Sequence, residues 1–124
     1  MKEELEKQLT DEYTTLFRGK DMPVTENLMS FGCDCGDGWF NIINAACSVI
    51  ATHTEHEGKT DFLFTQIKEK YGTLRMYSDG GNAYTAGIIA MAEAMSGETC
   101  EVCGAPGKVG GTGWLSTRCE KHDA

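Results

Sequence analysis

The sequence predicts an α+β fold with about three helices and one β-hairpin, followed by a small C-terminal module of the zinc-ribbon type. Three segments carry hydrophobic residues every three or four positions, which is the spacing of amphipathic helices. Around Tyr71 and Gly72 the pattern changes to the alternation of a hairpin. Two pairs of metal-ligand residues follow near the end of the chain. We therefore divide the chain into an α+β domain at residues 1–97 and a zinc-ribbon module at residues 98–124.

The first helix is predicted at residues 2–17. Its apolar side chains recur on one face, with glutamate and lysine between them: Leu5, Leu9, Tyr13, Leu16 and Phe17. Pro23 prevents a continuation because proline has no backbone N–H. We expect residues 1–20 to be peripheral to the domain and residues 18–36 to form loops or irregular extended chain.

A second helix is predicted to begin at Asp37, whose carboxylate is placed to accept from free backbone amides. It should reach about Thr52. One face carries an apolar stripe that predicts core packing: Trp39, Ile42, Ile43, Ala46, Cys47 and Ile50.

The hairpin is predicted at residues 62–69 and 73–78, on either side of the Tyr71-Gly72 break. A turn rich in glycine follows it. Asn82 then has the position and chemistry of an N-cap for a third helix that stops at Gly97.

The metal site is predicted from Cys100, Cys103, Cys119 and His122, which form one C-x2-C pair and one C-x2-H pair. Each pair can offer two ligand atoms from one tight turn, and this donor set suits Zn²⁺. Four protein ligands leave no open position, so we expect one structural zinc per chain. Trp114 and Leu115, between the two pairs, are expected to cover the metal or to dock the ribbon on the core.

A second metal site formed by Cys33, Cys35, His53 and His56 stays open at this stage. Against it, a C-x-C pair bends less readily onto one metal than C-x2-C, and the intervening helix is about 22 Å long. His53-Thr54-Glu55 together with the Cys100/Cys103 pair also imitates a zinc deaminase motif. However, Thr99 stands where that motif has proline.

The net charge of −8 disfavours a sequence-independent grip on DNA or RNA. A local basic cluster remains in the sequence: Lys59, Lys68, Lys70 and Arg75. The chain opens on a charged helix pattern without a secretory signal, and no apolar run has the length of a membrane span, so we expect a cytosolic protein. In a reducing compartment its six cysteines are metal ligands or buried thiols rather than disulfides.

A ligand site is predicted around the second hairpin strand, because residues 73–82 read as a strand, a glycine turn and a helix start. Free amides in such a turn can receive an anion, although an ordinary β-to-α turn has the same pattern. The candidate ligand-binding residues are Lys68, Tyr71, Arg75, Tyr77, Gly80, Gly81 and Asn82.

Three motifs occur in a fixed order along the chain: Gly36-Asp37-Gly38-Trp39-Phe40, the hairpin segment at residues 67–77, and the C-x2-C-G to C-x2-H ribbon. In these motifs the chain resembles a group of small proteins encoded by tailed phages, over about residues 31–122. The resemblance implies a setting in the cytosol of an infected bacterium and favours accessory proteins that act by binding. It transfers no catalytic residues.

We therefore expect a non-enzymatic, zinc-containing phage accessory protein that binds a host factor or signalling ligand, in some cases countering host defence. A first alternative is a sponge that sequesters a nucleotide-derived immune signal, with a pocket that a second subunit could complete. A zinc-dependent hydrolase or deaminase is a second alternative. A nucleic-acid-binding ribbon is a third, which the net charge disfavours. The sequence leaves the oligomeric state open.

Overall fold

The computed structural model describes residues 1–58 and 61–123; Lys59 of the basic cluster lies outside them. The predicted α+β class is confirmed. Three helices and five strands are present in the described residues: α1 (Glu3–Glu12), α2 (Phe40–Glu57) and α3 (Ala83–Ser96), with β1 (Cys33–Asp34), β2 (Leu63–Lys70), β3 (Thr73–Asp79), β4 (Lys108–Gly110) and β5 (Ser116–Arg118). None of the helices in this described part of the chain is long and apolar enough to cross a membrane.

The main sheet has the order β1-β2-β3, and β4 and β5 form a separate antiparallel pair. The predicted hairpin is confirmed, since β2 and β3 pair antiparallel with Ile67 opposite Met76. Tyr71 and Gly72 connect the two strands with φ angles of 54° and 88°. A two-residue turn that matches the twist of the paired strands requires positive φ at both of its central residues. Gly72 adopts such a φ angle without steric cost.

Strand β1 was not predicted, and it lies parallel to β2 with Cys33 opposite Ile67. Side chains alternate between the two faces of a strand, so Cys33 and Cys35 are buried while Asp34 between them is exposed. The C-x-C spacing is therefore a strand pattern that places both thiols in the core.

The N-terminal segment is not peripheral, in contrast to the expectation from sequence. Helix α1 ends at Glu12 rather than at residue 17, and a turn brings the following chain against the sheet. Leu9, Leu16 and Phe17 are almost completely buried. The backbone N–H of Phe64 also donates to the carbonyl of Leu16 at 2.9 Å. If α1 continued to residue 17, it would carry Leu16 and Phe17 away from the sheet. The free energy gained by burying these side chains exceeds that of the additional helical turn, so the helix ends earlier.

Helix α2 differs from its prediction at both ends. A short 3₁₀ turn at Asp37–Trp39 precedes it, and Asp37 does not cap the helix. Instead, the Asp37 carboxylate accepts from the Lys2 backbone N–H at 2.8 Å. The helix continues five residues beyond Thr52 to Glu57 and ends at Gly58, which has φ 67°. Glycine adopts this left-handed conformation readily, so it forms the helix stop.

Helix α3 begins as predicted at Asn82. Its side chain accepts from the backbone N–H of Thr85, and the Thr85 side chain accepts in return from the Asn82 N–H. The helix lies along the free edge of β3, where Ser96 Oγ accepts from the Leu74 N–H and Glu93 Oε2 from the Met76 N–H, both at 2.9 Å. Two edge amides thereby obtain partners from the helix.

Candidate metal centre and adjoining groove

The four predicted metal ligands lie together at the C-terminal module. One ligand atom from each of Cys100, Cys103, Cys119 and His122 lies within 4.8 Å of all the others. All six cysteines of the chain are free thiols, so the arrangement is not produced by a disulfide. The group can hold a metal ion.

The distances within this group fit a tetrahedral ion. Bonds of about 2.3 Å to sulfur and about 2.0 Å to nitrogen place two sulfurs about 3.8 Å apart and a sulfur and a nitrogen about 3.5 Å apart. Here the Sγ atoms of Cys103 and Cys119 are 3.7 Å apart. Nδ1 of His122 lies 3.7 Å from Sγ of Cys100 and 3.2 Å from Sγ of Cys119. The three edges match the expected tetrahedron within a few tenths of an ångström.

Local turns position the ligands. The first pair lies on a tight turn at residues 100–104, the metal-binding turn, which is closed by a bond of 2.9 Å from the Gly104 N–H to the Cys100 carbonyl. Gly104 has φ 84°, a conformation that glycine adopts without strain. The hairpin β4–β5 then returns the chain, so that Cys119 follows β5 directly and His122 lies on the next turn.

The Cys100 thiol and the core thiol Cys33 lie in different electrostatic environments. Burial raises the pKa of the Cys100 thiol, but hydrogen bonds outweigh burial and lower it to about 6. The backbone groups involved belong to Cys119, Cys103 and Val102. In contrast, burial raises the pKa of Cys33 to about 12. Cys100 is therefore prepared as a thiolate, the form that binds metals, whereas Cys33 is a protonated core residue.

The metal-binding turn is docked on the short turn at residues 36–38, the docking turn, through Glu101. The Glu101 backbone carbonyl accepts from the Gly38 N–H at 2.8 Å, and its carboxylate accepts from the Gly36 N–H at 2.9 Å. Both positions lack room for a side chain. A Cβ at Gly36 would lie 2.3 Å from the Glu101 carbonyl oxygen, and a Cβ at Gly38 would lie 2.2 Å from the Cys100 carbonyl oxygen.

Two further bonds fix the ribbon to the domain. The indole N–H of the fully buried Trp39 donates to the carbonyl of Thr99 at 2.8 Å. The hydroxyl of Thr117, also buried, donates to the carbonyl of Gly72 in the hairpin turn at 2.6 Å. The ribbon thus contacts the start of α2 on one side and the β2–β3 turn on the other.

A cavity of about 680 Å³ lies between the hairpin and the ribbon, and we call it the hairpin–ribbon groove. Residues in or next to β1, in β2 and its hairpin turn, in the metal-binding turn and in the β4–β5 loop line it: Asp34, Cys35, Lys68, Glu69, Lys70, Tyr71, Glu101, Gly113, Trp114 and Leu115. The groove therefore adjoins the metal centre through Glu101.

Two aromatic side chains stand out in this groove, since Tyr71 is 71% exposed and Trp114 is 81% exposed. The expectation that Trp114 covers the metal or docks the ribbon is wrong. Bonds made by the backbone and by the side chains of Glu101, Trp39 and Thr117 dock the ribbon, and the Trp114 indole takes no part in them. Glu69 and Glu101 are already engaged, by the Gly72 N–H at 2.7 Å and by the docking turn.

The predicted ligand-binding residues do not form one site. Lys68 and Tyr71 line the hairpin–ribbon groove, whereas Tyr77 lines a different cavity of about 430 Å³ beside residues 24–28. The Arg75 guanidinium donates to the Thr73 hydroxyl at 2.5 Å and to the Leu74 carbonyl.

The glycine turn is also engaged internally. The Gly81 N–H donates to the Asp61 carboxylate at 3.4 Å, and the Asn82 N–H donates to Thr85 Oγ1 at 3.0 Å. A Cβ on Gly80 would lie 2.3 Å from the Asp61 carbonyl oxygen. Gly80, Gly81 and Asn82 thus build an ordinary β-to-α turn, and the carboxylate beside it opposes an anion.

The residues of the second metal hypothesis are not brought together. Among the described residues, the Cys/His group above is the one cluster with metal-binding geometry, and it does not include His53, His56 or Glu55. His53 stacks on Tyr84 with ring centroids 4.0 Å apart, near the C-terminal end of α2. The opposite end of α2 adjoins the metal-binding turn, and thirteen helical residues span about 20 Å. The deaminase arrangement is therefore not assembled.

Sequence reasoning missed Glu101, whose role depends on a contact between residues 65 positions apart. The Gly36-x-Gly38 spacing was the available signal, because two glycines around one residue indicate close approach of another backbone. Comparisons with protein-family models, with curated proteins and with solved structures find no match to this chain.

Proposed function

We propose that this chain is a non-enzymatic binding protein in which Zn²⁺ fixes the ribbon to the domain and the hairpin–ribbon groove recognises a partner. The observation that carries the proposal is the exposure of Tyr71 and Trp114 on a groove next to the metal centre. In the setting that the phage resemblance implies, the partner is a host factor in the infected cell, and binding it counters host defence.

Zinc is the metal that suits the group best. Three thiolates and one imidazole form a soft donor set, and their tetrahedral spacing is the preference of Zn²⁺. Four protein ligands complete the coordination shell, so the ion has a structural role and supplies folding energy to the ribbon.

The aromatic residues support recognition of a partner. Tyrosine and tryptophan are enriched among the residues that dominate binding energy, because they bury a large area and have few rotatable bonds. Tyr71 lies on a two-residue turn, and Trp114 lies on the loop that joins β4 to β5. Little side-chain entropy has to be lost when a partner covers them.

The nucleotide sponge is a second candidate, favoured by the two lysines of the groove. Lys68 and Lys70 lie beside Tyr71, and the Lys70 ammonium is 5.6 Å from the centre of the tyrosine ring. A planar ring that carries a phosphate could stack on an aromatic face and pair with an ammonium. The net charge of −8 and Asp34 oppose such an anion, which is why the host factor remains the first proposal.

Affinity capture from the bacterial host with quantitative mass spectrometry tests the proposal, followed by titration of the purified partner. We expect Trp114→Ala and Tyr71→Ala each to weaken binding at least about tenfold, as for central aromatic residues of interfaces. Phe31→Ala is the matched control, because Phe31 is 69% exposed and lies outside the groove. Equal binding by all three variants would refute the groove as the recognition surface.

The same variants separate the sponge from the host factor. Titration with purine and pyrimidine mononucleotides and cyclic nucleotides should quench the fluorescence of Trp114 if the groove holds a stacked base. In that case Lys68→Ala lowers the affinity and weakens its salt dependence. No quenching with any nucleotide, together with binding of a protein partner that Trp114→Ala abolishes, would exclude the sponge and retain the first proposal.

A further inference from the structure

Helix α3 has an exposed surface without charge. About one residue in four of the chain is charged, so a 14-residue helix would carry about three charges. Helix α3 carries only Glu93, whose carboxylate accepts from the Met76 N–H at the edge of the sheet. The exposed residues of the helix are small or apolar, apart from the hydroxyl of one tyrosine: Ala83, Tyr84, Ala86, Gly87, Ala90, Met91, Ala94 and Met95.

The neighbouring helix continues this surface. Residues 40–54 of α2 contain no aspartate, glutamate, lysine or arginine. A groove of about 330 Å³ runs between the two helices, and Asn41 is the one polar residue among those that line it. The others are Ile42, Ala45, Ala46, Val49, Ile88, Met91, Ala92 and Met95. We call this surface the α2–α3 face.

We propose that the α2–α3 face binds the same face of a second copy of this chain in a two-fold symmetric dimer. A two-fold contact requires one surface that supplies both a ridge and a groove. The α2–α3 face can supply both, because Met91 lines the groove with 67% of its surface exposed and the small residues Ala45 and Ala46 line the same groove. The unbranched methionine side chain adapts to an irregular apolar groove.

Small residues on α3 allow the α3 helices of the two copies to approach each other closely. Gly87, Ala90 and Ala94 follow one another at spacings of three and four along α3, so they share a face of the helix. Residues of this size permit interaxial distances near the lower end of about 8 to 10 Å.

The lack of charge on the α2–α3 face is compatible with the approach of a second copy. Each chain has a net charge of −8, so two copies repel wherever acidic surfaces meet. On the α2–α3 face the exposed side chains add no charge, and the remaining charges are partly screened over about 8 Å at physiological ionic strength. Apolar burial can then exceed the residual repulsion.

The size of the face predicts a weak, reversible dimer. Helix α3 is about 21 Å long, and two packed helices are about 20 Å wide, so the face covers roughly 400 Å² in projection. Stable interfaces bury about 800 Å² per partner, and the face lies below that value. We therefore expect a dissociation constant in the micromolar range. The α2–α3 face and the hairpin–ribbon groove share no lining residue, so both grooves of the dimer stay accessible.

Sedimentation velocity of the zinc-loaded chain, from about 1 to about 300 μM, tests the dimer because this range brackets a micromolar dissociation constant. We expect the mass to rise from 13.5 kDa toward twice that value. Higher salt should strengthen the dimer, since it screens the repulsion between two acidic chains. A chain that stays monomeric over the whole range would overturn the proposal.

Met91→Glu places a charge on the face and should weaken the dimer at least about 100-fold, because two carboxylates would be buried at the contact. Phe31→Glu adds the same charge at an equally exposed residue, 69% against 67%, and should leave the dimer intact. Ala90→Glu is the second variant, at an exposed helix position where glutamate retains helix propensity. Dimers of unchanged affinity in both face variants, with native circular dichroism, would overturn the proposal.

Discussion

Replacing Gly38 by alanine places a methyl group against the backbone of the metal-binding turn. The added Cβ would lie 2.2 Å from the Cys100 carbonyl oxygen and 2.6 Å from that of Glu101. These atoms belong to a backbone that two metal ligands hold in place, so they cannot move as the end of a flexible side chain could. The turn must therefore separate from the domain by at least an ångström, and the bond from the Gly38 N–H to the Glu101 carbonyl is lost.

The expected loss of stability combines two terms. Overpacking typically costs about 1–3 kcal/mol, and a lost hydrogen bond about 1 kcal/mol. We therefore expect Gly38→Ala to lower the free energy of unfolding by roughly 2 to 4 kcal/mol. The candidate metal ligands themselves are unchanged, so the proposed single zinc per chain should be retained.

Urea unfolding at saturating zinc measures this loss, and release of zinc to a chromogenic chelator measures retention. Gly110→Ala is the matched control, because a Cβ at Gly110 meets no atom within 4 Å. It should change the free energy of unfolding by less than about 0.5 kcal/mol. Equal stability of the two variants would refute the inference that residues 36–38 dock the ribbon.

Three other predictions follow from the same structure. Removing the metal with a chelator, or by Cys119→Ser, should release the ribbon and lower Tm, since metal binding supplies folding energy; Cys47→Ala should still bind one zinc per chain by elemental analysis. The pKa of Cys33 is raised by burial from 9.0 to about 12, so its contribution to stability is complete below pH 9 and is lost as pH rises toward 12. Urea midpoints should fall over that range, and less steeply in Cys33→Ala. Asn82→Ala removes the cap of α3 and should cost about 1 kcal/mol in thermal unfolding, whereas an Asn82→Asp variant that retains the acceptor should lose less.

The features predicted correctly from sequence are local ones. The ligand pairs, the Tyr71-Gly72 turn and the Asn82 cap each depend on residues within a few positions of one another, where spacing and backbone preference decide the structure. The four residues of the candidate metal site come together as predicted, despite fifteen intervening residues, because each pair carries a recognisable spacing of its own.

The features missed depend on contacts between distant segments. Strand β1 has two residues, too few for a periodic signal, and it exists because β2 offers it an edge. Asp37 has the chemistry of a helix cap, but the N-terminal segment supplies a competing donor, the Lys2 N–H. Trp114 was expected to cover the metal or to dock the ribbon, whereas it lies 81% exposed on the loop that joins β4 to β5. In each case tertiary contacts override the local preference.

The first two sequence motifs both contact the third, the ribbon, on opposite sides. The Gly36 and Gly38 amides bind Glu101 in the metal-binding turn, Trp39 donates to the carbonyl just before that turn, and the hairpin turn accepts from Thr117 of the ribbon. A metal that fixes the ribbon therefore also fixes one wall of the hairpin–ribbon groove. Under the proposed function, a closed metal site would thus support binding without contacting the partner, because a fixed groove wall reduces the entropy that Trp114 and Tyr71 would otherwise lose on binding.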